Sequence, residues 1–266
     1  MTGVVLLDLD GTLVAQEEAF ERAYRATGEF AASRAGGLVA GEFARRIPEV
    51  TDRVLHDAPF ADCVRRCRFG GRDILWGEAV AGGGCEGEIA AGIDAFRERV
   101  WSDVLASFGV GSTELCTELG PVFVQAMTEE VSLYSEVAEA LRAVGQACRL
   151  AVVTNGMLGA QRAKLRRLGI DHHFDAVIAS VQVGVGKPAA VIFEAALEAM
   201  GAEPDQAVMV GDALDGDMDG AKWVGMRAIW VNRDGRPRPS RAVEPDAEIR
   251  DLTALGAAIE ASIDDR

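Results

Sequence analysis

Residues 4–14 read VVLLDLDGTLV. Four apolar residues lead into Asp8, Leu9 and Asp10, and Gly11-Thr12 ends the run. A short apolar run closed by a turn signal is the pattern of a strand buried on both faces. Side chains alternate along a strand, so Asp8 and Asp10 point the same way. Two carboxylates on one side of a buried edge repel each other, and one takes a raised pKa unless a cation stands between them. The stretch therefore asks for a cation, a proton or both.

The same kind of run recurs downstream. RLAVVTN (149–155), FDAVIAS (174–180), AVMVGD (207–212) and RAIWVN (227–232) read as buried parallel strands. Helical patterns lie around and between them, at about 135–146, 157–168, 189–200 and 215–224. Gly169, Gly201 and Gly225 follow three of these as helix stops. The alternation predicts an α/β fold with a doubly wound, Rossmann-like parallel sheet. Residues 15–130 differ: they show little strand character, and their apolar positions recur at helical spacing. The expected organisation is a core of residues 1–14 and 131–266, with 15–130 inserted as an all-helical domain. The stretch 232–246 reads as a surface connection to a last short strand and a helix at 252–262.

Composition removes several function classes. The formal net charge is −15, which argues against a nucleic-acid partner, because phosphate backbones need a basic face. No apolar run is long enough for a membrane span, and no signal-peptide pattern opens the chain, so the expected compartment is the cytoplasm. Five cysteines lack a paired zinc spacing and are read as reduced, partly buried thiols; His172-His173 reads as a loop before a strand. Lysine occurs only at Lys164, Lys187 and Lys222; the other 24 of 27 basic residues are arginine.

Ligands of open parallel sheets bind beyond the carboxyl ends of the strands. Read together, those ends supply Asp8 and Asp10, then Thr154, Asn155 and Gly156, then Asp212 with Asp217 following it. The loop VQVGVGKP after the third strand brings in Lys187. Carboxylates, a hydroxyl, an amide and one lysine on a single edge suit a hard divalent cation bridging to a phosphoryl group.

The ordered set DLDGT, TNG, GKP and GDALDGD resembles the four motifs of haloacid-dehalogenase-type phosphohydrolases, and the likeness extends through QRAKLRRLGI and DMDGAKWVGMRAIWVN. It is nearest to nucleotidase-like and N-acylneuraminate-phosphatase-like members. The resemblance implies that 15–130 is the family's C1 cap. It implies Asp8 as nucleophile, Asp10 as acid and base, and Mg2+ held by Asp8, Asp10 (through its backbone carbonyl more than its side chain) and Asp212, with Asp217 beside them. Thr154, Asn155 and Lys187 would bind the phosphoryl group. The family often carries acidic residues where Gln182 and Ala189 stand here. Its halide-displacing members lack an aspartate at the position of Asp10, which favours a phosphatase. A Schiff-base lysine from the cap is ruled out, since 15–130 holds no lysine. A phosphomutase of the same fold and a receiver-like phosphoprotein are the other readings. The expected substrate is a nucleoside monophosphate or a sugar phosphate, met in the cap by Arg97, Arg99 or Trp101; the expected assembly is a monomer or homodimer.

Overall fold

In a computed structural model, residues 3–81 and 83–264 are described. The chain divides into two compact units, one of 1–15 with 133–266 and one of 16–132.

The first unit holds six parallel strands: β1 (Val4–Leu7), β2 (Arg149–Thr154), β3 (Ala176–Ala179), β4 (Ala207–Gly211), β5 (Arg227–Val231) and β6 (Ala247–Ile249). Their order is β3-β2-β1-β4-β5-β6. Strand succession runs one way from β1 through β2 to β3, then returns to the other side of β1 with β4. That reversal leaves a crevice at the carboxyl ends of β1 and β4, where such sheets bind ligands. Leu7 is in register with Val152 on one side and Val210 on the other, so Asp8 emerges at the sheet's centre. Val5, Leu6 and Leu7 are wholly buried, as a strand covered on both faces requires.

The α-helices of this unit among its described residues are Val137–Val144, Leu158–Arg167, Ser180–Val183, Ala190–Met200, Asp219–Trp223 and Leu255–Asp264. Ala190–Met200 ends at Gly201 in the left-handed conformation, as the sequence predicts. The expected helix over 215–224 begins differently. Leu214–Met218 is a π-turn, and only then does the α-helix Asp219–Trp223 follow. The cause is local: the amides of Asp217 and Met218 both donate to Ala213 O, at 2.8 and 3.3 Å, while the Asp217 carboxylate accepts from Ala213 N at 3.1 Å. Such bulges are frequent at functional sites.

The second unit contains six helices among its described residues: Gln16–Arg34, Ala40–His56, Ala61–Cys67, Gly71–Trp76, Gly84–Ala106 and Thr113–Glu130. Phe20, Tyr24, Phe123 and Trp101 form an aromatic cluster with ring centroids 5.5 to 6.5 Å apart. These rings give a block without a sheet a core of its own. No described helix in either unit is long and apolar enough to cross a membrane.

Candidate active site

Asp8 leaves β1 with its amide donating to Val210 O at 2.9 Å, which fixes the backbone at the crevice. Its carboxylate accepts from Lys187 Nζ at 2.5 Å, and Lys187 Nζ also donates to Val153 O at 2.9 Å. The same ammonium lies 2.6 Å from Asp217 Oδ1. Lys187 thus reaches from the loop after β3 to the buried ends of β1 and β2. Asn155 holds it there: Asn155 Oδ1 accepts from the Lys187 amide at 2.9 Å, and Asn155 Nδ2 faces Lys187 O at 3.5 Å. Expected to touch substrate, the Asn155 amide is instead spent on the lysine's backbone, because the turn after β2 and the Lys187 loop pack side by side.

Asp212 ends β4. Its carboxylate accepts from Thr12 Oγ1 at 3.2 Å, and its carbonyl accepts from Trp230 Nε1 at 3.0 Å. Two glycines make the close packing possible. Gly11 has φ of +88°, and a Cβ there would lie 2.7 Å from Asp212 Oδ2. A Cβ on Gly211 would lie 2.1 Å from Asp217 Oδ2.

Asp8, Asp212 and Asp217 bring carboxylate oxygens within 4.8 Å of one another. Burial pushes Asp8 up to about 7, with Lys187 opposing and Asp217 and Asp10 reinforcing. Burial and the nearby Asp8 push Asp212 up to about 6. Burial likewise raises Asp217. Burial pulls the Lys187 ammonium down, but Asp217 and Asp8 together outweigh it and hold the proton above the ordinary lysine range. An all-oxygen cluster of this kind, reluctant to ionise by itself, fits a hard divalent cation that would take the place of protons.

Asp10 faces elsewhere. Its Oδ1 accepts from Lys164 Nζ at 2.5 Å and its Oδ2 from Gln161 Nε2 at 3.1 Å. Its side chain is not part of the three-carboxylate cluster. The Asp10 carboxylate pairs with Lys164, which leaves its backbone carbonyl as the group the resemblance offers to the cation, and Asp217 stands in the cluster beside Asp8 and Asp212. Thr154 is 1% exposed, with its hydroxyl 3.2 Å from Gln161 Nε2.

The residues of the site all lie within a family match. A model of the haloacid dehalogenase-like hydrolases covers residues 2–225. The chain belongs to that family. It is 37% identical to a phosphoserine phosphatase of Thermus thermophilus over 94% of this chain and 96% of the relative. It is 33% identical to the pyrimidine 5'-nucleotidase YjjG of Escherichia coli over 46% of this chain and 55% of that one. A solved structure of a 2-haloacid dehalogenase from Pseudomonas syringae superposes with a TM-score of 0.66 at 28% identity, covering 98% of this chain and 99% of the other. Within the haloacid dehalogenase-like family the chain is an enzyme of the phosphoric monoester hydrolase type.

Two departures from the family pattern have local explanations or none. Gln182 accepts from the Ala179 amide at 3.0 Å, capping the short helix Ser180–Val183, a task a glutamate performs equally well. Nothing in the structure accounts for Ala189.

In the helical unit, Arg97 is not placed as expected. Its Nε donates to Ile74 O at 2.9 Å and its Nη2 to Gly77 O at 2.6 Å. These close the end of Gly71–Trp76, whose last carbonyls lack helical partners. Burial lowers the Arg97 pKa, opposed by Asp94 and Glu78. Arg99 pairs with Asp103 at 2.9 Å, and Trp101 is 2% exposed, part of the aromatic cluster. The cysteines also differ from expectation. Cys63 and Cys85 form a disulfide, and the buried Cys67 sulfur lies 3.7 Å from that of Cys85. Cys63 and Cys67 sit one turn apart on Ala61–Cys67, and Cys85 lies in the first turn of Gly84–Ala106. Sequence spacing carries no sign of such a pairing.

Lys164 and Gln161 were missed as site residues. The available signal was the scarcity of lysine. Each of the three pairs with an aspartate: Lys164 with Asp10, Lys187 with Asp8 and Asp217, and Lys222 with Asp246.

Proposed function

We propose that the chain is a Mg2+-dependent phosphatase of a small phosphorylated metabolite, working through an aspartyl-phosphate on Asp8. The observation that carries this reading is a single one: a buried carboxylate, Asp8, fixed against Lys187 and grouped with Asp212 and Asp217. Asp8 Oδ attacks phosphorus, the ester P–O bond breaks, and the leaving oxygen takes a proton from Asp10. Asp10, now a carboxylate, takes a proton from water. That water attacks phosphorus, the bond to Asp8 breaks, and phosphate leaves. Lys187 and Thr154 would meet the phosphoryl oxygens, and Lys187 would balance the charge that builds on them. Asp8, Asp212 and Asp217, with the Asp10 carbonyl, would hold Mg2+, which supplies charge neutralisation at the phosphoryl group.

Asp10 also favours this reading over halide displacement. A halide departs as a stable anion and needs no proton, whereas an alkoxide does. The dehalogenase name belongs to the structural neighbour; the shared fold does not transfer its chemistry.

Residues 16–132 would act as a cap that excludes water and sets specificity. The match to the Thermus phosphoserine phosphatase spans 94% of this chain and so runs through that segment. Phosphoserine therefore heads the substrate panel, ahead of nucleoside monophosphates and sugar phosphates. The test is phosphate release across that panel with and without Mg2+. Turnover of at least one phosphomonoester, dependent on Mg2+, is expected. Halide release from 2-haloacids without any phosphatase activity would overturn the reading.

A further inference from the structure

We propose that Lys164, with Gln161, is the positioning residue that aims Asp10 as acid and base, a role that rests on the phosphatase reading above. The two side chains sit three apart on Leu158–Arg167 and so project from one face of that helix. Each grips a different oxygen of the same carboxylate, Lys164 Nζ on Oδ1 at 2.5 Å and Gln161 Nε2 on Oδ2 at 3.1 Å. A carboxylate held at both oxygens loses its freedom to rotate about its own axis.

The grip is built at a cost. The Lys164 side chain is 2% exposed, and an ammonium is taken that far out of water only against a close partner. Asp10 itself keeps 23% of its side chain accessible, whereas Asp8 keeps 10% and Asp217 none. So the anchor is buried and the anchored group opens to the crevice, as a group exchanging protons with substrate and water must. The Asp10 carboxylate is not among the three that group together, Asp8, Asp212 and Asp217. Without the Lys164 contact, Asp10 would be free to swing toward the cation and be lost to proton transfer. Gln161 Nε2 also lies 3.2 Å from Thr154 Oγ1 and 3.4 Å from Asn155 O. One helix face therefore ties the acid–base group to the turn that would receive the phosphoryl oxygens.

The test uses kcat/KM over a series of aryl and alkyl phosphates of graded leaving-group basicity, in wild type, Lys164→Met and Lys164→Arg. Methionine keeps the length and apolar stem and removes the charge. For alkyl phosphates kcat/KM should fall about 100-fold in Lys164→Met, in the range general acid catalysis supplies, while p-nitrophenyl phosphate, which needs little protonation, changes by less than about 5-fold. KM should stay within about 3-fold, and Lys164→Arg should recover part of the loss. In an Asp10→Asn background, Lys164→Met should cost nothing further. Equal loss across all leaving groups, or full additivity with Asp10→Asn, would overturn the proposal and make Lys164 a structural residue. If Lys164→Met does not fold, Gln161→Leu is read in the same way: a steeper leaving-group dependence supports the proposal, and an unchanged one overturns it. Absence of Mg2+-dependent turnover in the wild type would instead strike the phosphatase reading, so the two failures are distinct.

Discussion

The two units handle charge in opposite ways. In the sheet unit, Lys164 and Lys187 are 2% and 5% exposed and each meets aspartate within 2.6 Å. In the helical unit the cations are all arginine, and pairs such as Arg22–Glu18, Arg65–Asp62 and Arg99–Asp103 leave the arginine more than half exposed. A surface pair gains about 0–1 kcal/mol and serves mainly solubility. A buried pair carries a desolvation cost that a chain bears for a purpose. The two lysines most withdrawn from water are the ones that hold the aspartates of the candidate site.

The largest expected effect follows from Asp8. Asp8→Asn should reduce phosphate release to the detection limit. It should also raise the Tm of the Mg2+-free protein at pH 8. The sign follows from linkage: a carboxylate raised to about 7 binds its proton more tightly folded than unfolded, so its contribution to stability is lost as pH rises from about 4 through 7. A lower Tm for Asp8→Asn at pH 8 would contradict the raised value. Next is Lys187→Met, which should lower kcat by about 100-fold or more by removing a charge aimed at the reacting group. Retained kcat would reduce Lys187 to a structural cation.

Mg2+ binding should strengthen between pH 6 and 8 and release protons, because it competes with protons on Asp8, near 7, and Asp212, near 6. Calorimetric titration in buffers of different ionisation enthalpy reads this directly; pH-independent binding would contradict it. In the helical unit the effects shrink and change kind. Arg97→Ala should cost about 1–2 kcal/mol of stability through its lost bonds to Ile74 O and Gly77 O. It should leave p-nitrophenyl phosphate turnover unchanged per folded molecule. Arg65→Ala should shift stability by less than about 0.5 kcal/mol in denaturant titration, as exposed pairs do.

Much of the sheet unit was legible because buried parallel strands write themselves as apolar runs, and the polar residue ending each run marks the binding edge. Asp8, Asp212 and Thr154 stand at such run ends, and Lys187 comes from the loop after the third strand. What the rule misses is direction. It puts Asp8 and Asp10 on one face, but it does not show that Lys164, 154 residues away, holds the Asp10 carboxylate. It sent Asn155 to substrate, though the neighbouring loop claims both ends of its amide. The π-turn at Leu214–Met218 arises from the Asp217 side chain bonding back to Ala213, a choice invisible to periodicity. In the helical unit, helical spacing showed the block but not its contacts. Neither Arg97 capping Gly71–Trp76 nor the pairing of Cys63 with Cys85 leaves a local pattern.

The covalent role proposed for Asp8 is open to direct observation. The protein is mixed with Mg2+ and a phosphate-labelled substrate that turns over, quenched in acid within the first turnover, and mapped by peptide mass spectrometry. A hydroxylamine-labile phosphoryl group on the peptide carrying Asp8, absent from Asp8→Asn, is the expected result. Turnover with no covalent label, or with the label on another residue, would contradict it.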